Sequence, residues 1–139
     1  MKNLVFDYSP LPGFTKAIVL APMVPVTFIN GKYSFDTFAF VDSGADSGLI
    51  STGIADALNI KWEKLEQKTG YTTSGVFKYR TFENLEAEIE YNNFILAINI
   101  AEGVSPFKCI LGRSDLFKKA EIRFLGYDSK FELIFRALN

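Results

Sequence analysis

The chain has 139 residues, 48% hydrophobic and 15% aromatic, which suits a packed core rather than a disordered polymer. Its 15 basic and 16 acidic residues leave a net charge of −1 with no basic block. That balance speaks against nucleic acid or an anionic membrane surface as a partner. There is no histidine and one cysteine. These counts exclude Ser-His-Asp and Cys-His catalysis, imidazole metal sites and an internal disulfide. Cys109, in the apolar run Phe107 to Leu111, is expected to be a buried, inert thiol. The N-terminus lacks a sustained apolar segment and no run reaches the length of a membrane span, so a soluble, reducing, cytoplasmic setting is expected. No metal or cofactor is expected, and chemistry is left to carboxylates, hydroxyls, Lys and Arg.

In chain order, residues 1–16 hold Pro10, Pro12 and Gly13 and read as an irregular lead-in to a single domain spanning 1–139. Ala17 to Ile29 is β-rich but interrupted by Pro22 and Pro25, as in an edge strand, a bent strand or two short ones. Asn30-Gly31 signals a hairpin, with the return strand over Tyr33 to Val41. Its last four residues are all apolar, so burial on both faces is expected there. Ser51 or Thr52 can cap a short helix that stops at Asn59. Thr69 to Phe77 reads as a hairpin with a mobile tip near Thr72 to Gly75, or as an ordinary surface turn. In Thr81 to Tyr91, Leu85, Ala87, Ile89 and Tyr91 face one way and Glu86, Glu88 and Glu90 the other. Asn92-Asn93 is expected to turn the chain into a strand over Phe94 to Ala101, followed by a loop at Glu102 to Pro106. A buried strand at Phe107 to Leu111, one helical turn at Asp115 to Lys119 and a last hairpin around Gly126 to Ser129 complete the pattern. The sum is an all-β, mostly antiparallel domain with one or two short helices, a closed or sandwich-like barrel.

Phe38-Ala39-Phe40-Val41-Asp42-Ser43-Gly44-Ala45-Asp46 is the stretch with chemical content. An apolar strand that ends in a tight turn can hold Asp42 at a fixed position facing a cavity. Asp-Ser-Gly alone is a common turn sequence. Asp-[Ser/Thr]-Gly-Ala arises by chance in a chain this long on the order of 1% of the time. Amide hydrolysis needs a carboxylate to take a proton from water and a protonated carboxyl to polarise the substrate. Two close carboxyls share one proton, and aspartic proteases are the standard example of that arrangement. Gly44 allows close backbone approach, and Ser43 supplies a hydroxyl that can brace the turn.

Phe40 to Asp46 resembles the active-site loop of retropepsin-like aspartic proteases, the single-domain relatives of pepsin. Ile110-Leu111-Gly112-Arg113 resembles the segment that enters that family's C-terminal helix, and the Gly70 to Phe77 hairpin sits where the family carries its flap. The wider text, Pro25 to Ile60 and Ile110 to Phe135, looks most like bacterial and archaeal members. The resemblance implies a closed retropepsin-like β-barrel with a flap hairpin, and Asp42 as the catalytic carboxylate. It implies loop support from Ser43, Gly44 and Ala45, and contact with substrate backbone from Asp46 paired with Arg113. It places the flap at Thr72, Thr73, Ser74 and Gly75. Two features depart from the retroviral pattern. Ser43 stands where Thr is frequent, and Gly112 to Phe117 is one residue longer than the Gly-Arg-x-Leu-Leu form.

No second Asp-[Ser/Thr]-Gly exists in the chain, and Asp128-Ser129-Lys130 lacks the glycine. A carboxylate pair therefore needs a second copy, with Asp42 of each chain meeting at a two-fold axis. The reading is a homodimeric aspartic endopeptidase acting on peptide or protein. The alternatives are a non-catalytic dimer that binds peptide or a partner protein, and an unrelated barrel with a fortuitous turn.

Overall fold

The computed structural model describes residues 3–11, 18–72, 75–103 and 108–136. The strands are β1 (Asn3–Asp7), β2 (Ser9–Pro10), β3 (Leu20–Ala21), β4 (Met23–Asn30), β5 (Tyr33–Val41), β6 (Leu49–Ser51), β7 (Lys68–Thr72), β8 (Gly75–Ile89), β9 (Asn92–Ala101), β10 (Cys109–Leu111), β11 (Ala120–Leu125) and β12 (Lys130–Phe135). Two short helices, α1 (Thr52–Ala57) and α2 (Leu116–Lys119), and two 3-10 turns complete the described elements. The chain is mostly β, as expected. Among the described residues no helix is long and apolar enough to cross a membrane.

Seven strands form one sheet in the order β4-β5-β10-β6-β9-β8-β7, and β8 also pairs with β4, so the ladder returns to its start. Two of its pairings are parallel, β10 with β5 and β6 with β9. β10 thereby lies between the end of β5 and β6, next to the turn that carries Asp42. A smaller sheet, β1-β12-β11, supplies Phe131 and Leu133, both fully buried. Phe6 of β1 stacks on Phe131 with centroids 5.3 Å apart.

Several local signals act where the sequence placed them. Asn30 pairs with Tyr33 across Gly31, whose φ of +61° suits the first position of a two-residue hairpin loop. Ser51 caps α1, its Oγ accepting from Ile54 N at 3.2 Å. Asn59 ends α1 in the left-handed conformation, and the Asn59 and Ile60 amides donate to Asp56 and Ala55 carbonyls, a Schellman closure. Pro22 separates β3 from β4, so the described part of that stretch, from residue 18 on, holds two strands. Pro25 lies in the part of β4 that pairs only with β5, because β8 covers Thr27 to Ile29 alone.

Four expectations are corrected. The lead-in is not wholly irregular: Asn3–Asp7 is β1, because Leu4 and Phe6 alternate with exposed Val5, Leu4 lying opposite Leu133 and Phe6 stacking on Phe131. The end of β5 is not buried on both faces: Ala39 and Val41 point inward, whereas Phe38 remains 57% exposed. The β8–β9 turn is Glu90-Tyr91 rather than Asn92-Asn93. Both residues have positive φ, and Asn92 Nδ2 braces the turn by donating to the Ile89 and Glu90 carbonyls. Tyr91 is therefore exposed and does not share the inward face of Leu85, Ala87 and Ile89. Finally, the buried strand is Cys109–Leu111, while Phe107 and the loop residues 104–106 lie outside the described residues.

Candidate active site

Asp42 follows the last residue of β5 and is half-buried. Its amide donates to Leu111 O at 3.0 Å, so the strand end is fixed to the end of β10. Its Oδ1 accepts from Gly44 N at 2.9 Å and its carbonyl from Ala45 N at 3.2 Å. These two bonds fold Asp42 to Ala45 into an Asx-type turn and fix the rotation of the carboxyl. Ser43 and Gly44 are exposed, and Ala45 is half-buried.

The turn is docked on the segment after β10. Arg113 N donates to Ala45 O at 3.0 Å, and Ser114 N to Asp46 O at 2.8 Å. The contact is close enough to require glycine at position 112. A Cβ there would lie 2.7 Å from Ala45 O and 3.1 Å from Ser47 C. The two sequence motifs thus meet through their backbones.

The resemblance implies a pair of Asp46 with Arg113. The two are neighbours, but Arg113 Nη2 lies 3.8 Å from Asp46 Oδ1 and both side chains are exposed. An exposed pair of that length contributes about 0–1 kcal/mol, so the backbone bonds hold the two loops together.

At the hairpin tip, Thr72 pairs with Gly75, and Thr72 Oγ1 donates to Gly75 O at 3.2 Å. Thr73 and Ser74 lie outside the described residues. Gly70 faces Phe77, whose ring atoms would stand 2.4 Å from a Cβ at that position. Tyr71 and Val76 near the tip are exposed.

The base of this hairpin has an anchor that the sequence reading missed. Arg80 Nη1 donates to Glu63 O at 2.8 Å and Leu65 O at 2.6 Å, and its Nε to Glu102 at 3.1 Å. Its guanidinium also lies over Trp62, 5.6 Å from the ring centroid. The Gln67 amide and then Arg80 hold the Glu102 carboxyl below its usual value. A depressed carboxyl stabilises the fold above its unfolded-state pKa, and that contribution is lost as pH falls through the folded value. Arg80→Ala is expected to cost about 1–3 kcal/mol by chemical denaturation, with faster proteolytic nicking over residues 62–72. An unchanged denaturation midpoint would remove the anchoring role. Nothing in the local sequence marks Arg80, because its partners come from two other segments.

Asp115 was also missed as anything more than the start of a helical turn. It is the one buried polar or charged side chain among the described residues. Cys109 is buried as expected, and burial followed by the Asp115 charge pushes its thiol far above the usual range. A groove of about 640 Å³ lies elsewhere, beside Pro25, Asp36, Phe38, Glu88, Glu90 and Tyr91, and contains none of the expected site residues.

No protein-family model matches the sequence, and no curated protein matches it. Among solved structures, the chain is similar to a retropepsin-like aspartic protease from Rickettsia conorii. The identity is 16% and the TM-score 0.69, with 96% of this chain and 99% of that chain covered. The chain therefore has a retropepsin-like fold, as its two motifs led one to expect.

Proposed function

We propose that this chain is one half of an aspartic endopeptidase. In this reading it forms a closed retropepsin-like barrel that pairs with a second copy about a two-fold axis. Asp42 of each copy then faces the other across one shared site. One carboxylate takes a proton from water, and the other, protonated, donates to the scissile carbonyl oxygen. Water attacks the carbonyl carbon to give a tetrahedral intermediate. Return of a proton to the amine nitrogen lets the C–N bond break.

The observation that carries this reading is the Asp42 turn. Its carboxyl is oriented by Gly44 N–H at a strand end, and the backbone of the turn is docked on Arg113 and Ser114 through the Ala45 and Asp46 carbonyls, within a retropepsin-like fold. Ser43, Gly44 and Ala45 support the loop. Asp46 and Arg113 are exposed and so accessible to an extended substrate backbone. The hairpin tip, Thr72, Thr73, Ser74 and Gly75, acts as the flap that covers it. Peptide binds by strand-like pairing between floor and flap. The substrate is peptide or protein in a cytoplasmic setting, without nucleic acid or membrane.

The test is cleavage of denatured proteins and a peptide library from about pH 3 to 8, over a dilution series of the protein. Specific activity that falls on dilution, in step with dimer dissociation by sedimentation, is the expected result. A fully active monomer overturns the shared site. A stable dimer that binds peptides and cleaves none favours the non-catalytic reading.

A further inference from the structure

Asp115 is 2% exposed, and none of the ion pairs among the described residues includes it. Backbone amides surround its carboxyl instead. Oδ1 accepts from Gly112 N at 2.8 Å and Leu116 N at 2.6 Å, and Oδ2 accepts from Gly48 N at 2.6 Å. Gly48 closes the loop that begins at Asp42, whereas Gly112 and Leu116 belong to the segment on which that loop is docked. One side chain thus joins the two segments that meet at the turn. The fit is tight on the loop side: a Cβ on Gly48 would lie 2.7 Å from Asp115 Oδ2 and 2.5 Å from Ile110 O.

All three partners are donors, so this cage suits an acceptor-only group. A carboxylate satisfies every one of them. An amide or a protonated carboxyl turns part of the group into a donor, which leaves one N–H without a good acceptor. For Asn the outcome is specific. Its Oδ1 can keep the Gly112 and Leu116 bonds, since Asn is as good an N-cap as Asp. Its Nδ2 then faces Gly48 N–H, and only the bond to the Asp42 loop is lost.

We propose that Asp115 is a positioning residue for Asp42: its carboxylate clamps the 42–48 loop to the 112–116 segment and so sets where the Asp42 carboxyl stands. This inference rests on the endopeptidase reading of Asp42. It also makes the clamp sensitive to pH. Burial pushes the Asp115 carboxyl up, and the Leu116, Gly112 and Gly48 amides pull against that rise. A carboxyl raised in the fold favours folding most below its unfolded value, and that contribution is lost as pH rises through the folded value. The ionised clamp therefore fixes the loop at some cost in stability, and protonation of the Asp115 carboxyl releases it. The Cys109 thiol on β10 feels the Asp115 charge. Asp42, Asp46 and Arg113 are the other charged groups on the two joined segments.

The test follows the Gly48, Gly112 and Leu116 amides and the Asp115 carboxyl carbon by NMR across a pH titration of the wild-type protein. Steady-state kinetics of wild type and Asp115→Asn are measured alongside. The Gly48 amide is expected to titrate together with the Asp115 carboxyl. In Asp115→Asn, Gly48 amide exchange should quicken relative to Leu116, with kcat down ~10- to 10²-fold at little-changed KM. A Gly48 amide that stays flat while Asp115 titrates overturns the clamp without any variant. An active wild type whose kcat survives in a folded Asp115→Asn variant overturns the positioning role alone. A wild type that cleaves nothing removes the endopeptidase reading, and this inference with it.

Discussion

Replacing Asp42 with Asn is expected to abolish peptide cleavage while leaving the fold and the pairing with a second copy intact. In the wild-type turn Oδ1 accepts from Gly44 N at 2.9 Å, and the amide oxygen of Asn can accept the same bond. The turn, its docking on Leu111 and Arg113, and the end of β5 then remain as they are. Stability should change by no more than about 0.5 kcal/mol, as for an exposed or half-buried isosteric change. What is lost is the group that takes the proton from water, a loss on the order of 10²–10⁴-fold at minimum for one general base. Cleavage of a reporter peptide, measured beside thermal unfolding and sedimentation, separates these effects. Retained cleavage in a folded Asp42→Asn dimer would sink the assignment of Asp42.

Gly112→Ala should damage the site almost as severely, by geometry instead of chemistry. The added Cβ would meet Ala45 O at 2.7 Å, which is backbone of the Asp42 turn and cannot rotate away. Relief requires moving the turn away from the Arg113 amide, with loss of the 3.0 Å bond between them. Overpacking of this kind costs about 1–3 kcal/mol. A shift of about 1 Å at a reacting group can cost 10²-fold in rate. Gly53→Ala is the matched control. Gly53 lies within α1, and its nearest neighbour would be Ser51 Oγ at an ordinary 3.7 Å. There alanine is expected to stabilise by about 0.5–1 kcal/mol through helix propensity. Denaturation midpoints of the two variants should therefore move in opposite directions from wild type, while the cleavage rate falls for Gly112→Ala and stays at the wild-type level for Gly53→Ala. Equal behaviour would mean that the close approach at Gly112 does not position the turn.

Features that neighbouring residues settle were legible in the sequence. The Asn30-Gly31 hairpin, the Ser51 cap, the Asn59 stop and the inward row Leu85, Ala87, Ile89 each follow from a few adjacent side chains. The local form of the Asp42 turn follows for the same reason, because a strand, a carboxylate and a glycine stand in sequence. Long-range partners were not. β1 was hidden because the residues that complete it, Phe131 and Leu133, stand at the other end of the chain. The exposure of Phe38 is hidden in an apolar run, although alternation sends Ala39 and Val41 inward. The Glu90-Tyr91 turn carries no glycine and depends on the Asn92 side chain. Likewise the exposure of Asp46 and Arg113 was not legible, since a sequence does not display solvent. Asp115 and Gly48 lie 67 residues apart, and only the fold brings them together.

A carboxylate pair completed by symmetry is tested most directly by a distance. A crystal structure of the dimer, from a preparation shown to cleave peptide, should place the two Asp42 carboxyls within about 2.6–3.2 Å of each other. Carboxyls held far apart in such an active dimer, or turned away from the two-fold axis, would contradict it.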